Sequence, residues 1–409
     1  MKVIEGSVTA AKGFRAAGNA VGVKGVITEK KDLAIIVSDV PAVAAGAFTT
    51  NVVKATSVTR NMKIMEGKGK INAVVANSGN ANACTGEEGI KSNEKMAQCL
   101  ADILGVDSST VLTASTGVIG AVFPIDTITK GIKATFPMLG YDRNNALMAA
   151  EAIMTTDTYS KEVAVEFDLG GKTVHLGGMA KGSGMICPNM ATMLSFITTD
   201  AAISQELLNK ALKEDIKSTY NMVSVDGDTS TNDTVVVLAN GLAGNEEVVS
   251  EGKDYDTFKE ALHYVNERLA KNLVRDGEGA TKFMEVNVTG AATEADAKTM
   301  AKSVVKSSLF KAAVFGEDAN WGRVLCAMGY SGVKFDPQKV DIVFASNAGE
   351  ILLMDNGTPI VFDEDKAKTI LSEKEIQVNI KISEGNAKAT AWGCDLSYEY
   401  VKINGDYRS

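Results

Sequence analysis

Apolar positions recur with a helical period in four stretches of the chain. Residues 88–104 set Ile90, Met96, Leu100 and Ile103 along one face, and residues 204–218 open at Ser204 and carry Leu207, Leu208, Ala211, Leu212 and Ile216. Residues 256–274 repeat the pattern with Phe258, Leu262, Val265, Leu269 and Leu273. In 293–306, Thr293 and Asp296 resemble a capping box ahead of Met300, Val304 and Val305. Between these lie strand-like runs: INAVVA at 71–76, TVVVLA at 234–239, MEVNVTG at 284–290, VDIVFA at 340–345 and EIQVNIKI at 375–382. The last alternates apolar and polar residues, so it should cover a core on one face only. Helices and strands interleave throughout, which predicts an α/β (α+β layered) fold with sheets covered by helices.

At 409 residues the chain exceeds the size at which one hydrophobic core usually stops growing. Two subdomains, or one large layered unit with an appendage, are expected. There is no internal repeat, low-complexity tract or proline-rich linker. Two boundaries are candidates: the stretch after residue 275 (RDGEGATKF) and the stretch just before Thr192.

Charge narrows the list of partners. A net charge of -9 with no Lys/Arg run weighs against nucleic acid, whose phosphates call for a basic stripe. Cys84, Cys99, Cys187, Cys326 and Cys394 are odd in number and widely spaced, with no C-x-x-C pair. Buried free thiols in a reducing compartment are expected, without a zinc knuckle or redox pair. The amino terminus lacks a long apolar stretch, and no run approaches the ~20 apolar residues of a membrane span. The expected location is the cytoplasm. Only two histidines occur, His175 in the strand-like KTVHLGG and His263 in a helical segment. Each reads as a structural or surface residue. An enzyme this poor in histidine must find its base elsewhere.

The most unusual segment is GGMAKGSGMICPNMATMLSFITTDA, residues 177–201. Glycines at 177, 178, 182 and 184 precede Pro188-Asn189 and then ATMLSFITTDA, which looks like a buried strand. A phosphate cradle with Lys181 is discounted, since neither G-x-x-x-x-G-K-[ST] nor G-x-G-x-x-G is satisfied, position 187 being Cys. Two readings stay open: a tight turn, which is the simpler, and a self-cleaving site. In the second, the Thr192 hydroxyl attacks the carbonyl of Ala191, and water then frees an amino-terminal threonine. Its own α-amine, titrating near pH ~8, would serve as the missing base.

The string KGSGMICPNMATML resembles the signature of the ornithine acetyltransferase (glutamate N-acetyltransferase) family of arginine biosynthesis. Further segments resemble the same family in order along the chain. They are TAAKGF, NSGNANACTG, STGVIG, MTTDT, DGDTSTNDT, DGEGATKF, FGEDANWGR and the ending AWGCDLSYEYVKINGDYRS. The resemblance implies cleavage between Ala191 and Thr192, with Thr192 as nucleophile. It implies Thr116 and Gly117 as the oxyanion pair; on the residues alone, STGVIG reads as a turn after VLTA. Lys181, Glu278, Thr155 or its neighbour Thr156, Asn404 and Ser409 match substrate-binding positions. The family often ends in Thr where this chain has Ser409. By charge, Lys181 would take the carboxylate of N-acetylornithine and Glu278 its amine.

The resemblance further implies a layered, DmpA-like fold with a second carboxy-terminal α/β lobe over roughly residues 280–409. It implies cleavage into chains 1–191 and 192–409, assembled as a heterotetramer of two copies of each. The reaction would be a ping-pong acetyl transfer from N-acetylornithine to glutamate, with no metal or prosthetic group and with acetyl-CoA as a possible alternative donor. Two rival readings are a self-cleaving aminopeptidase or amidase on the related fold, and a non-catalytic small-molecule binding protein.

Overall fold

The computed structural model describes residues 1–187 and 193–406. In chain order its strands are β1 (Lys2–Ile4), β2 (Phe14–Asn19), β3 (Leu33–Phe48), β4 (Ile71–Asn80), β5 (Val111–Val118), β6 (Lys161–Leu169), β7 (Lys172–Lys181) and β8 (Leu194–Thr199). They continue as β9 (Val223–Ser224), β10 (Thr234–Ala239), β11 (Phe283–Ala291), β12 (Asp341–Ser346), β13 (Gly349–Asp355), β14 (Thr358–Pro359), β15 (Glu375–Lys381) and β16 (Ala387–Cys394). Two sheets result. One runs β1-β6-β7-β8-β10-β3-β4-β5 with β2 paired to β3; the other runs β14-β13-β12-β15-β11-β16-β9.

The larger sheet turns on β3. Its first half pairs with β2 and β4, and its second half, Val43–Phe48, pairs with β10. Pro41 sits in the step between, where the register with β4 shifts between Val37 and Ala42. Proline has no N–H for a ladder, so an interruption of this kind is where a strand tolerates it. At the centre, β8 and β10 pair in parallel and every residue of both is buried. This explains the unbroken apolar run VVVLA of β10, since strands covered on both faces do not alternate. β15, with one face open, alternates as its sequence predicts.

The four periodic stretches form helices Gly86–Leu104, Gln205–Asp215, Lys253–Arg275 and Glu294–Lys306. Ser204 and Thr293 cap two of them, each accepting a backbone N–H three residues on, at 3.4 and 3.1 Å. One helix face differs from expectation: Ile90 and Ile103 are exposed, and the buried stripe runs through Gly89, Asn93, Met96, Ala97, Leu100 and Ala101. Helix Lys253–Arg275 is wedged between the sheets, packing on β6 and β7 on one side and on β9 and β16 on the other. Its Phe258, Leu262, Val265, Leu269 and Leu273 are fully buried, each worth about 1.5–3 kcal/mol of transfer free energy. One continuous core therefore joins both sheets.

The thiols depart from the sequence reading. Cys187 and Cys394 are buried and Cys99 partly so, but Cys84 and Cys326 are exposed; all five are free. Cysteine's apolar side chain does not by itself secure burial, because Cys84 sits in a loop with positive φ and Cys326 lies on an outer helix face. Among the described residues, no helix is long and apolar enough to cross a membrane.

Candidate active site

STGVIG is not a turn following a strand. β5 continues through Ser115–Val118, with Gly117 at φ +130° and a Cβ there only 2.4 Å from the carbonyl carbon of Gly79. Only glycine fits that combination of backbone and close approach. The segment NSGNANACTG buttresses it from the neighbouring strand. Ser115 Oγ donates to Asn77 Oδ1 at 2.8 Å, and the Ala81 N–H donates to the Val118 carbonyl at 2.9 Å. Asn232 Nδ2 donates to the carbonyls of Ala81 and Ser115, both at 2.7 Å, tying the 230–233 segment to the same wall.

Lys181 ends β7 with its side chain enclosed. An ammonium out of water is costly unless compensated. Burial pushes its pKa down, and Asp157 opposes that shift. Its Nζ donates to Thr116 Oγ1 at 3.5 Å and stands 4.0 Å from Asp157 Oδ2. Asp157 is the organiser of this corner. It accepts from Lys161 Nζ and the Gly182 N–H at 2.7 Å each, and from the Thr155 N–H at 3.0 Å. Burial opposes its charge, but Lys181, Lys161 and these hydrogen bonds outweigh that and hold the carboxyl well below the usual carboxylate range. Lys161, fully buried, also reaches Asp276 Oδ2 at 2.5 Å, and Asp276 accepts the N–H and hydroxyl of Thr158. Two lysines and two aspartates thus balance in a desolvated cluster.

The opposite wall is more open. The Glu278 N–H donates to the Ser183 carbonyl at 2.9 Å, and Ser183 Oγ donates to the Asp276 carbonyl at 2.5 Å. A Cβ on Gly184 would lie 2.3 Å from Glu278 Cδ, so a bare backbone is what lets the carboxylate sit there. Asn404 Nδ2 donates to Glu278 Oε2 at 2.8 Å from helix Tyr398–Asp406, no residue of which is buried. Asp226 anchors the loop beneath by accepting the N–H groups of Met185 and Ile186 at 2.6 and 2.8 Å. Tyr400 also donates its hydroxyl to Asp226, at 3.3 Å.

These walls enclose a cavity of about 280 Å³. Thr116, Gly117, Thr155, Thr156, Lys181, Glu278 and Asn404 all line it, with Met193 and the 230–233 segment. The site residues read from the sequence therefore converge from five separate segments. Ala191, Thr192 and Ser409 lie outside the described residues. Neither histidine lines the cavity: His175 Nδ1 pairs with Asp200 at 3.2 Å and His263 Nδ1 with Asp215 at 2.6 Å. Sequence reasoning missed Asp157, Lys161 and Asp276. Both carboxylates stand inside quoted motifs, MTTDT and DGEGATKF, and Lys161 is a lone cation opening a strand. With an ammonium and hydroxyl at one end and a carboxylate at the other, the cavity suits a small zwitterion and a developing oxyanion.

A layered α/β fold with such a cavity accords with acyl transfer. The ArgJ family model matches residues 15–409, and the chain belongs to that family. It is 54% identical over 396 residues to "Arginine biosynthesis bifunctional protein ArgJ 1" of Clostridium acetobutylicum, covering 97% of this chain and 96% of that protein. It is 52% identical over 409 residues to the ArgJ of Symbiobacterium thermophilum, covering both chains in full. The crystal structure of an arginine biosynthesis bifunctional protein ArgJ from Bacillus halodurans matches with TM-score 0.51 and 46% identity, over 53% of this chain and 100% of that one. Membership agrees with the enzyme class that the motifs imply, an acetyltransferase.

Proposed function

We propose that this protein moves an acetyl group from N2-acetyl-L-ornithine to L-glutamate through an acetyl ester on Thr192, after breaking its own chain between Ala191 and Thr192. The observation that carries the reading is the convergence of Thr116, Gly117, Lys181 and Glu278 on one cavity that Met193, the residue bonded to Thr192, also lines. The freed α-amine takes the hydroxyl proton as Thr192 Oγ attacks the acetyl carbonyl. Thr116 and Gly117 donate to the oxyanion, the amide C–N bond breaks, and ornithine leaves with the proton. The glutamate amine then attacks the ester, forming N-acetylglutamate and restoring the hydroxyl. Lys181 holds the substrate carboxylate, Glu278 the ornithine amine; Thr155, Thr156, Asn404 and Ser409 complete the contacts. Acetyl-CoA acts as a second donor, in keeping with the word bifunctional in the relatives' names.

Cleavage is supported by length. The solved Bacillus halodurans chain is matched in full yet accounts for 53% of this one, the fraction that residues 192–409 would form. Chains 1–191 and 192–409 stay together as two copies of each, with residues 280–409 as a carboxy-terminal lobe. The test is ornithine release from acetylornithine with and without glutamate. Release that depends on glutamate, with N-acetylglutamate as product, is expected; equal release as free acetate in its absence would make the protein an amidase.

A further inference from the structure

A second cavity, of about 270 Å³, adjoins the first and is lined by Lys24, Val26, Thr28, Lys30, Asp32, Ser78, Gly79, Met154 and Thr155. Thr155 lines both. The two also meet back to back at the glycines, because Gly79 faces the second cavity and pairs in register with Gly117 of the first. This groove is cationic. Its single carboxylate, Asp32, accepts the N–H groups of Val21, Gly22 and Val23 at 2.7, 3.0 and 2.7 Å, so its charge is committed to the loop backbone. Lys30 Nζ donates to the Thr155 carbonyl between the cavities. Burial holds the Lys30 pKa down, and while Asp157 raises it, Lys24 and Lys181 press it lower still. Exposed Val26 and Ile27 give the same loop an apolar rim.

Two ammonium groups and an apolar rim beside an acyl-transfer cavity match a donor with two unlike ends: a phosphorylated carrier and a thin arm bearing the acyl group. The amino-acid substrates carry carboxylates but no phosphate. We propose that the groove holds the phosphate-bearing carrier of an acyl thioester, with Lys24 and Lys30 on the phosphates and the arm passing Thr155 into the transfer cavity. In that reaction Thr192 Oγ attacks the thioester carbonyl, a C–O ester bond forms, the C–S bond breaks, and the thiol leaves with the hydroxyl proton. The proposal rests on the acetyl-Thr192 reading and assigns it a second entrance.

The experiment measures three rates in wild type and Lys24→Glu: acetyl transfer to glutamate from acetyl-CoA, from S-acetyl-N-acetylcysteamine, which has no phosphate, and from N-acetylornithine. The expected result is a rise of about 10-fold or more in KM for acetyl-CoA alone, since each ammonium–phosphate contact is charge-assisted. Added salt should weaken acetyl-CoA use in wild type more than use of the thioester that has no phosphate. Equal losses on both thioesters, or no loss on acetyl-CoA, would overturn the groove. A wild type active on acetylornithine and inert to acetyl-CoA would also overturn it while leaving the transfer reaction intact. Inactivity with all three donors would instead refute the acetyl-Thr192 reading itself.

Discussion

The two walls of the transfer cavity are built on opposite principles. The inner wall carries Thr116, Gly117 and Lys181 on strands and backs them with the buried Asp157–Lys161–Asp276 cluster. The outer wall carries Glu278 on a loop and Asn404 on a terminal helix without a buried residue. A position that must meet charge forming during a reaction gains from rigidity, because preorganised donors cost no rearrangement at that moment. A position that only holds the far end of a substrate tolerates movement, and an exposed segment suffices. The contrast predicts that inner-wall changes damage folding or turnover, and outer-wall changes damage affinity.

The largest effect is expected at Lys161, which touches nothing in the cavity. Lys161→Ala leaves Asp157 and Asp276 as two desolvated, facing carboxylates and should lower stability by about 3–5 kcal/mol, measured by urea unfolding. A loss under ~1 kcal/mol would mean the cluster is hydrated and the inner wall no stiffer than the outer. The pH dependence follows from Asp157. Its pKa in the folded protein lies below the ordinary 3.8, so its contribution is complete above the unfolded value and disappears only as pH falls through the lower, folded one. In Asp157→Asn that stabilisation should be missing at neutral pH, and the extra loss on acidification should shrink.

Thr116→Val comes next. In the proposed reaction Thr116 donates to the oxyanion, so its removal should reduce kcat about 100-fold with little change in KM or stability. Loss confined to KM would make Thr116 a ground-state binder. Lys181 sharpens the point through pH. Its pKa is lowered by burial, so the charge proposed to hold the substrate carboxylate is lost at a lower pH than an ordinary lysine would show. The alkaline limb of kcat/KM should therefore fall early, and Lys181→Arg, which keeps its charge, should remove that limb. The smallest effect is expected on the outer wall. Asn404→Ala should raise KM for acetylornithine about 5-fold with kcat unchanged, the scale of one exposed hydrogen bond to a charged partner.

Much of the fold was legible in local pattern. The four periodic helices, the caps at Ser204 and Thr293 and the alternating β15 follow from spacing alone. Ile90 and Ile103 were misread because a 3.6-residue period selects a face only when the neighbouring elements are known, and here Gly89 and Asn93 face the core instead. STGVIG read as a turn because glycine usually ends a strand; the pairing of Gly117 with Gly79, which requires it within one, joins residues 38 positions apart. The buried cluster was illegible for a related reason. Asp157, Lys161 and Asp276 resemble any solvated charge until the tertiary fold removes the water around them. The second cavity is harder still, since Lys24 and Lys30 belong to no quoted motif and gain meaning only from Thr155 across the wall.

The central claim concerns Thr192, and intact-mass analysis of the purified protein tests it most directly. The account predicts two chains, 1–191 and 192–409. Acetylornithine should add the mass of one acetyl group to the second chain alone, and glutamate should remove it. Thr192→Ala should remain a single, inactive chain. A single uncleaved chain with full activity, or normal cleavage in Thr192→Ala, would contradict the account.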